Sequence, residues 1–183
     1  MDQDLSTIPL KRIDGAADTL GAHRGKVLLV VNVASKCGLT PQYAALEALY
    51  RTKSGQGLEV LGFPANDFKA QEPGSDAEIA SFCSTTYDVT FPMFAKISVR
   101  GDDIHPLYAG LTRAMPQAAG DGPMRERLAS RGLDTGGPGD ILWNFEKFVV
   151  GRDGRVVARF SPDMPPDDPR IAAAIDRALA GPA

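Results

Sequence analysis

Cys37 stands where the apolar run Val27-Leu28-Leu29-Val30-Val31-Asn32-Val33 gives way to Ser35-Lys36-Cys37-Gly38-Leu39-Thr40-Pro41. Apolar residues at helical spacing follow from Gln42 to Tyr50, with Thr40 suited to cap that helix and Pro41 to its first position. The cysteine is therefore expected at a strand-to-helix turn. Unpaired amides and the positive end of a helix dipole favour an anion at such a turn, and Lys36 adds a cation, so the position suits a thiolate nucleophile. A lone cysteine is also often a small buried hydrophobe, and position alone leaves both readings open. Further along lie neutral donors that polarise oxygen without needing a particular pH: Gln71 with two amide hydrogens, Trp143 with one indole hydrogen, and Asn144 with two more. Each has a plainer explanation, since Gln71 could cap a turn before Glu72-Pro73-Gly74, Trp143 could be ordinary core and Asn144 could hold a loop. The second thiol, Cys83 in Phe82-Cys83-Ser84-Thr85-Thr86-Tyr87, could likewise be structural, with Ile79 and Phe82 as apolar neighbours.

The elements that must position these residues alternate between strand and helix, which predicts an α/β chain with a mainly parallel central sheet. After the first strand and helix, Leu58 to Phe63 reads as a strand ending at Pro64. Asp76 is placed to cap a short helix through Cys83. Phe94 to Val99 reads as a third strand, His105 to Ala114 as a helix, and Lys147 to Val150 as a strand. The Asp153-Gly154 pair, followed by alternating apolar residues from Val156 to Phe160, signals a hairpin. Pro169 to Ala180 is an amphipathic closing helix. Between Met115 and Asp140 six glycines and several prolines surround a short charged helical pattern at Met124 to Arg131, which predicts an irregular excursion outside the core, either a surface insertion or a substrate lid.

Three stretches carry a resemblance: Asn32 to Thr40, Phe63-Pro64-Ala65-Asn66-Asp67-Phe68-Lys69-Ala70-Gln71-Glu72-Pro73-Gly74-Ser75, and Trp143-Asn144-Phe145-Glu146-Lys147-Phe148. In residues and in order they resemble the glutathione peroxidase family, as do Phe91 to Lys96 and His105 to Tyr108 between them. The likeness runs from about Leu5 to the closing helix and is to the cysteine-containing, non-selenium bacterial members. It implies a thioredoxin-like fold with a central mixed sheet, one domain over residues 1–183, and a thiol peroxidase that reduces hydrogen peroxide and organic or lipid hydroperoxides. By the same resemblance Cys37, Gln71, Trp143 and Asn144 form a catalytic tetrad. Cys83 falls where thioredoxin-dependent members carry a resolving cysteine, which implies a Cys37–Cys83 disulfide reset by thioredoxin, with glutathione as the other reductant. If the two cysteines lie on separate helices, the segment around Cys83 would have to unwind, because a disulfide needs Cα atoms within about 7 Å. The family often has cysteine and glutamine at the positions of Ala65 and Asp67, and a pair of small residues at those of Lys69 and Ala70. Ala65 leaves Cys83 as the one internal partner for Cys37, and Asp67 and Lys69 are expected to alter the charge beside the cleft.

With 183 residues, 43% of them hydrophobic, and a net charge of −3, the chain can form one proper core and offers no basic surface for nucleic acid or an acidic membrane. The acidic start Met1-Asp2-Gln3-Asp4-Leu5 lacks the features of a secretory signal, and no apolar run reaches the length of a membrane span, so a cytoplasmic location is expected. There, two cysteines suit catalysis or redox sensing better than a permanent cross-link. His23 and His105 have no metal-ligand spacing with the cysteines, no phosphate-binding glycine pattern occurs, and no metal or organic cofactor is implied; His105 before Pro106 reads as a helix start. A monomer and a small homo-oligomer both remain open. Two other functions fit the same residues: a peroxide sensor that passes its disulfide to a partner, and a non-catalytic binding module on a thioredoxin scaffold.

Overall fold

The computed structural model describes residues 4–182. Its centre is a four-stranded sheet in the order β4-β3-β5-β6, built from β3 (Val27–Val33), β4 (Leu58–Pro64), β5 (Lys147–Val150) and β6 (Val156–Phe160). β3 and β4 run parallel with Val27 opposite Leu58, whereas β3–β5 and β5–β6 are antiparallel. The sheet is mixed, with one parallel pair where strand-helix alternation alone predicted mostly parallel pairing. A short hairpin of β1 (Leu10–Lys11) and β2 (Ala17–Asp18), not foreseen from the sequence, precedes it.

Every residue of β3 is buried, and its side chains serve two cores by the period-two alternation of a strand. Leu28 and Val30 point into one apolar cluster with Phe63 and Phe148, closed by α3 (Pro106–Ala114) through Leu107, Tyr108 and Leu111. Val27, Leu29, Val31 and Val33 point into the other, closed by three helices. These are α1 (Gln42–Lys53) with Tyr43 and Leu46, α2 (Asp76–Tyr87) with Ile79 and Cys83, and α5 (Pro169–Ala180) with Ile171 and Ile175. This layering of helices on both faces of the mixed sheet is the thioredoxin-like fold expected.

Three sequence expectations need correction. Phe94 to Val99 forms no strand: Met93 bridges Gly62 and Phe94 bridges Arg12, after which only single backbone bonds follow, from Ala95 N to Lys11 O and from Ile97 N to Pro64 O. Pro92 has no N–H to extend a ladder, and only its carbonyl is used, accepting from Gly62 N at 3.0 Å. α2 is capped by Ser75 and not Asp76, in a capping box in which Ser75 Oγ accepts from Glu78 N while Glu78 accepts from Ser75 N. Asp76 instead accepts from Lys96 N at 2.9 Å. The excursion is not outside the core, because its helix α4 (Gly122–Ser130) buries Met124 and Leu128 in the cluster that α3 covers. Ala119 also extends the sheet at the edge of β6, exchanging backbone hydrogen bonds of 2.9 and 3.0 Å with Arg159 and Ser161.

The hairpin at Asp153-Gly154 and the His105 cap of α3, in which His105 Nδ1 accepts from Leu107 N at 3.1 Å, are as expected.

Candidate functional site

β3 ends at Val33, and the chain turns through Cys37 before α1 begins at Gln42. Thr40 was expected to cap α1; it braces the cysteine turn instead. Its hydroxyl donates to Ala34 O at 2.8 Å and accepts from Cys37 N at 3.0 Å, while Cys37 O accepts from Thr40 N at 3.0 Å. With Thr40 so engaged and Pro41 at the helix cap position, no side chain caps α1. The Cys37 Sγ accepts from Leu39 N at 3.3 Å. Cys37 is partly exposed and packs against both apolar clusters, one of which contains Trp143.

The same turn is bonded to the segment that carries Gln71, since Lys36 N donates to Gln71 O at 3.0 Å. Gln71 caps no turn. Asn66 takes that role, its Oδ1 accepting from Glu72 N at 3.0 Å, and the Gln71 side chain is free to reach Asn144, whose Nδ2 donates to Gln71 Oε1 at 2.9 Å. That bond fixes the amide orientation of both residues, leaving Gln71 Nε2 without a partner among the described residues. Asn144 is fully buried, and its Oδ1 has no hydrogen-bond partner there either.

Trp143 and Asn144 sit on a loop tied to the end of β3 by Asn32, a polar residue buried inside an otherwise apolar strand. Asn32 Nδ2 donates to Trp143 O at 3.1 Å, and Asn32 O accepts from Phe145 N at 2.6 Å. Phe145 has a φ of +71°, a left-handed conformation unfavourable for a bulky residue, held by its ring in edge contact with Tyr43 at 5.5 Å. The Trp143 ring lies against Phe68 at 5.3 Å, so it is core on one side, yet its indole N–H has no partner among the described residues. Gln71, Asn144 and the turn of Cys37 are thus joined in one network, with Trp143 adjoining it. A thiolate beside unpaired neutral N–H donors can attack an electrophile and stabilise oxygen that gains charge.

Cys83 is elsewhere. It lies on α2, 2% exposed, beside the buried Tyr43, and neither cysteine is in a disulfide. Burial pushes its thiol up to about 11, so it is protonated at neutral pH. The segments of the two cysteines face one open cleft of ≈ 400 Å³, with Ser35 and Lys36 on one side and Ile79 and Phe82 of α2 on the other.

Sequence reasoning passed over Glu72 at the base of this cleft. It is fully buried, and burial pushes its carboxyl group above the ordinary carboxylate range against the opposing influence of Ser35, Lys96 and Lys36. An acidic residue directly after a candidate donor was the available signal. Asp67, expected to bear charge beside the cleft, accepts from Ser98 Oγ and Val99 N, both at 2.8 Å, and so has a structural task.

The chain is similar to known proteins in sequence and fold. Residues 5–112 match the family "Glutathione peroxidase". The chain is 53% identical over 182 residues to the thioredoxin/glutathione peroxidase BtuE of Escherichia coli (strain K12), covering 98% of this chain and 100% of that one. It is 47% identical to the hydroperoxy fatty acid reductase gpx1 of Synechocystis sp. (strain ATCC 27184 / PCC 6803 / Kazusa), over 91% and 90% of the two chains. The crystal structure of Trgpx in apo form is similar with a TM-score of 0.72 at 34% identity, covering 99% of each chain. A family match across more than half the sequence and relatives this similar over nearly their whole length establish that the chain belongs to the glutathione peroxidase family and is a thiol peroxidase that reduces hydroperoxides.

Proposed function

We propose that Cys37 is the thiol that attacks the peroxide, that Gln71, Trp143 and Asn144 hold and polarise it, and that Cys83 resolves the product for reduction by thioredoxin. The observation that carries this reading is the chain of bonds from Lys36 N to Gln71 O and from Asn144 Nδ2 to Gln71 Oε1, which joins the cysteine turn to two of the donors. The Cys37 thiolate attacks the terminal oxygen of ROOH. The O–O bond breaks, the RO group leaves and takes a proton as ROH, and sulfur, oxidised by two electrons, becomes a sulfenic acid. Donors aimed at the departing oxygen lower the barrier by stabilising charge present only in the transition state.

The Cys83 thiol then displaces water from the Cys37 sulfenic acid to form a disulfide, and thioredoxin returns both cysteines to thiols with two electrons. Because Cys83 is buried and faces Tyr43, this step requires α2 to loosen around it. The same burial favours a second route, in which an external thiol such as glutathione reaches the partly exposed Cys37 first. The wall of the cleft formed by Pro73, Ile79 and Phe82 suits the organic portion of a lipid hydroperoxide, the class named for the Synechocystis relative. A reducing compartment, the cytoplasm, fits a cycle that must regenerate two thiols.

Peroxide reduction coupled to thioredoxin and its reductase, followed through the nicotinamide consumed, tests the assignment. Cys37→Ser is expected to abolish turnover. Cys83→Ser is expected to consume one equivalent of peroxide and then stop with thioredoxin; normal cycling by that variant would refute the resolving role.

A further inference from the structure

Arg100 lies outside every motif that marks the site, yet its guanidinium is held against the loop that carries Trp143. It is centred 4.9 Å from the Phe68 ring, and Phe68 in turn meets Trp143 at 5.3 Å. Its Nη1 donates to Ile141 O at 3.2 Å, two residues before Trp143, and its Nη2 donates to Asp134 O at 3.2 Å. The Arg100 side chain is only 12% exposed, whereas the Asp134 carboxylate, 3.4 Å away, is 84% exposed. An ion pair with so exposed a partner contributes little by itself. The directional contacts are the stacked ring and the two carbonyls, a planar fork that lysine cannot reproduce.

A second arginine grips the same loop from behind. Arg159, buried in β6, donates through Nε to Glu146 Oε1 at 2.7 Å, and Glu146 Oε2 accepts from Leu142 N at 2.7 Å. Arg159 also donates to Met115 O, Gly139 O and Asp140 O at 2.9–3.0 Å, the two ends of the glycine-rich excursion. The excursion is therefore fastened at both ends beside residues 141–146, and Arg100 fastens it again at Asp134, after α4, to the same place.

We propose that Arg100 is a positioning residue for Trp143, holding its indole N–H toward the peroxide through the Phe68 ring and the Ile141 carbonyl, while its bond to Asp134 O ties the 115–140 excursion to the same place. The inference rests on the reading of Trp143 as a donor and adds what holds it. Arg100 fixes Trp143 from two directions, through the Phe68 ring tilted against it and through the carbonyl of Ile141 at the start of its loop. Displacement of a catalytic group by about 1 Å can lower a rate on the order of 10²-fold, so loosening one of several donors should lower it by roughly 10-fold.

The test is the second-order rate of Cys37 oxidation by hydrogen peroxide, read by intact mass in rapid quench, beside the rate of Cys37 alkylation by iodoacetamide, which needs the thiolate but no oxygen donor. Arg100→Ala is expected to slow oxidation roughly 10-fold while alkylation stays within about twofold of wild type, as loss of a positioned donor should do. Arg100→Lys is expected to recover part of the loss, and decides the matter if the alanine variant does not fold. Trp143 is the sole tryptophan, so its emission should shift in both variants. Combined with Trp143→Phe, Arg100→Ala should add no further slowing. Wild-type oxidation rates in both Arg100 variants, an equal fall in alkylation, or additive slowing in the double variant would overturn the inference while leaving the peroxidase reading intact. A Trp143→Phe single variant that oxidises normally would instead remove Trp143 from the donor set, and the inference with it.

Discussion

Lys69 and Ala70, the two residues before Gln71, have φ values of +57° and +51°. This is the left-handed region that costs an L-residue with a Cβ roughly 1 kcal/mol or more, and which glycine enters freely. Two such residues in succession make a tight, strained reversal immediately before Gln71. Ala70→Gly should therefore raise stability by about 1 kcal/mol in urea unfolding, with Gln71 still in place. A loss of stability would mean that the turn is not strained. Local sequence made Cys37 legible because a strand, a turn and a helix pattern meet there. It left Gln71, Trp143 and Asn144 as ordinary polar and core residues until the family likeness grouped them, because their contacts span up to 111 positions in the chain. Arg100 was not legible and Glu72 was marked only by its place after Gln71: a charged residue in a sequence reads as solvated, and only tertiary packing shows Glu72 buried and Arg100 largely covered.

At the scale of elements, α2 has to be both stable and able to open. Its capping box satisfies backbone donors at the first turn, while Ile79 and Cys83 bury its inner face. Ser75→Ala removes the cap and should cost about 1 kcal/mol. If Cys83 becomes available only when α2 loosens, that same change should speed disulfide formation after peroxide addition by roughly 5-fold, the rate equivalent of about 1 kcal/mol. Quenched samples separated under non-reducing conditions would measure it, and an unchanged rate would mean that opening of α2 is not the slow step. The neighbouring elements show where sequence patterns succeed. Continuous apolar strands, the Asp-Gly hairpin and the Pro106 helix start are local signals, and they appear where expected. The segment from Phe94 to Val99 has strand composition but finds its hydrogen bonds singly, with Lys11, Gly62 and Pro64, and composition does not record available partners. The excursion from Met115 reads as loop because glycine dominates it, although two apolar residues in α4 suffice to dock it.

Across the whole molecule, a buried lysine that takes no part in the proposed chemistry joins the start of β5 to the chain after β6. Lys147 is fully buried at the start of β5, and its Nζ donates to Pro162 O and Met164 O at 2.8 and 2.6 Å. Burial pushes its ammonium group down to about 7, against the opposing pull of Asp163 and Glu146. The unfolded chain therefore holds more protons on this group between about pH 7 and its ordinary value near 10.5, and stability from it should rise with pH across that interval. Tyr43, Tyr108 and Cys83, all pushed up by burial, act oppositely once the pH approaches their unfolded values of 9 to 10, so the clean window is about pH 7 to 9. Lys147→Met should flatten the rise in melting temperature over that window, and an equal rise in the variant would assign it to another group. The central claim, that a thiol at the mouth of this fold and a thiol buried in it form one redox pair, is tested most directly by adding one equivalent of hydroperoxide to the reduced protein and mapping its peptides without reduction. Rapid loss of two hydrogens in mass and a peptide pair linking Cys37 to Cys83 are expected. A stable Cys37 sulfenic acid with Cys83 still free would contradict the pairing, and an unoxidised Cys37 would contradict its role as the reactive thiol.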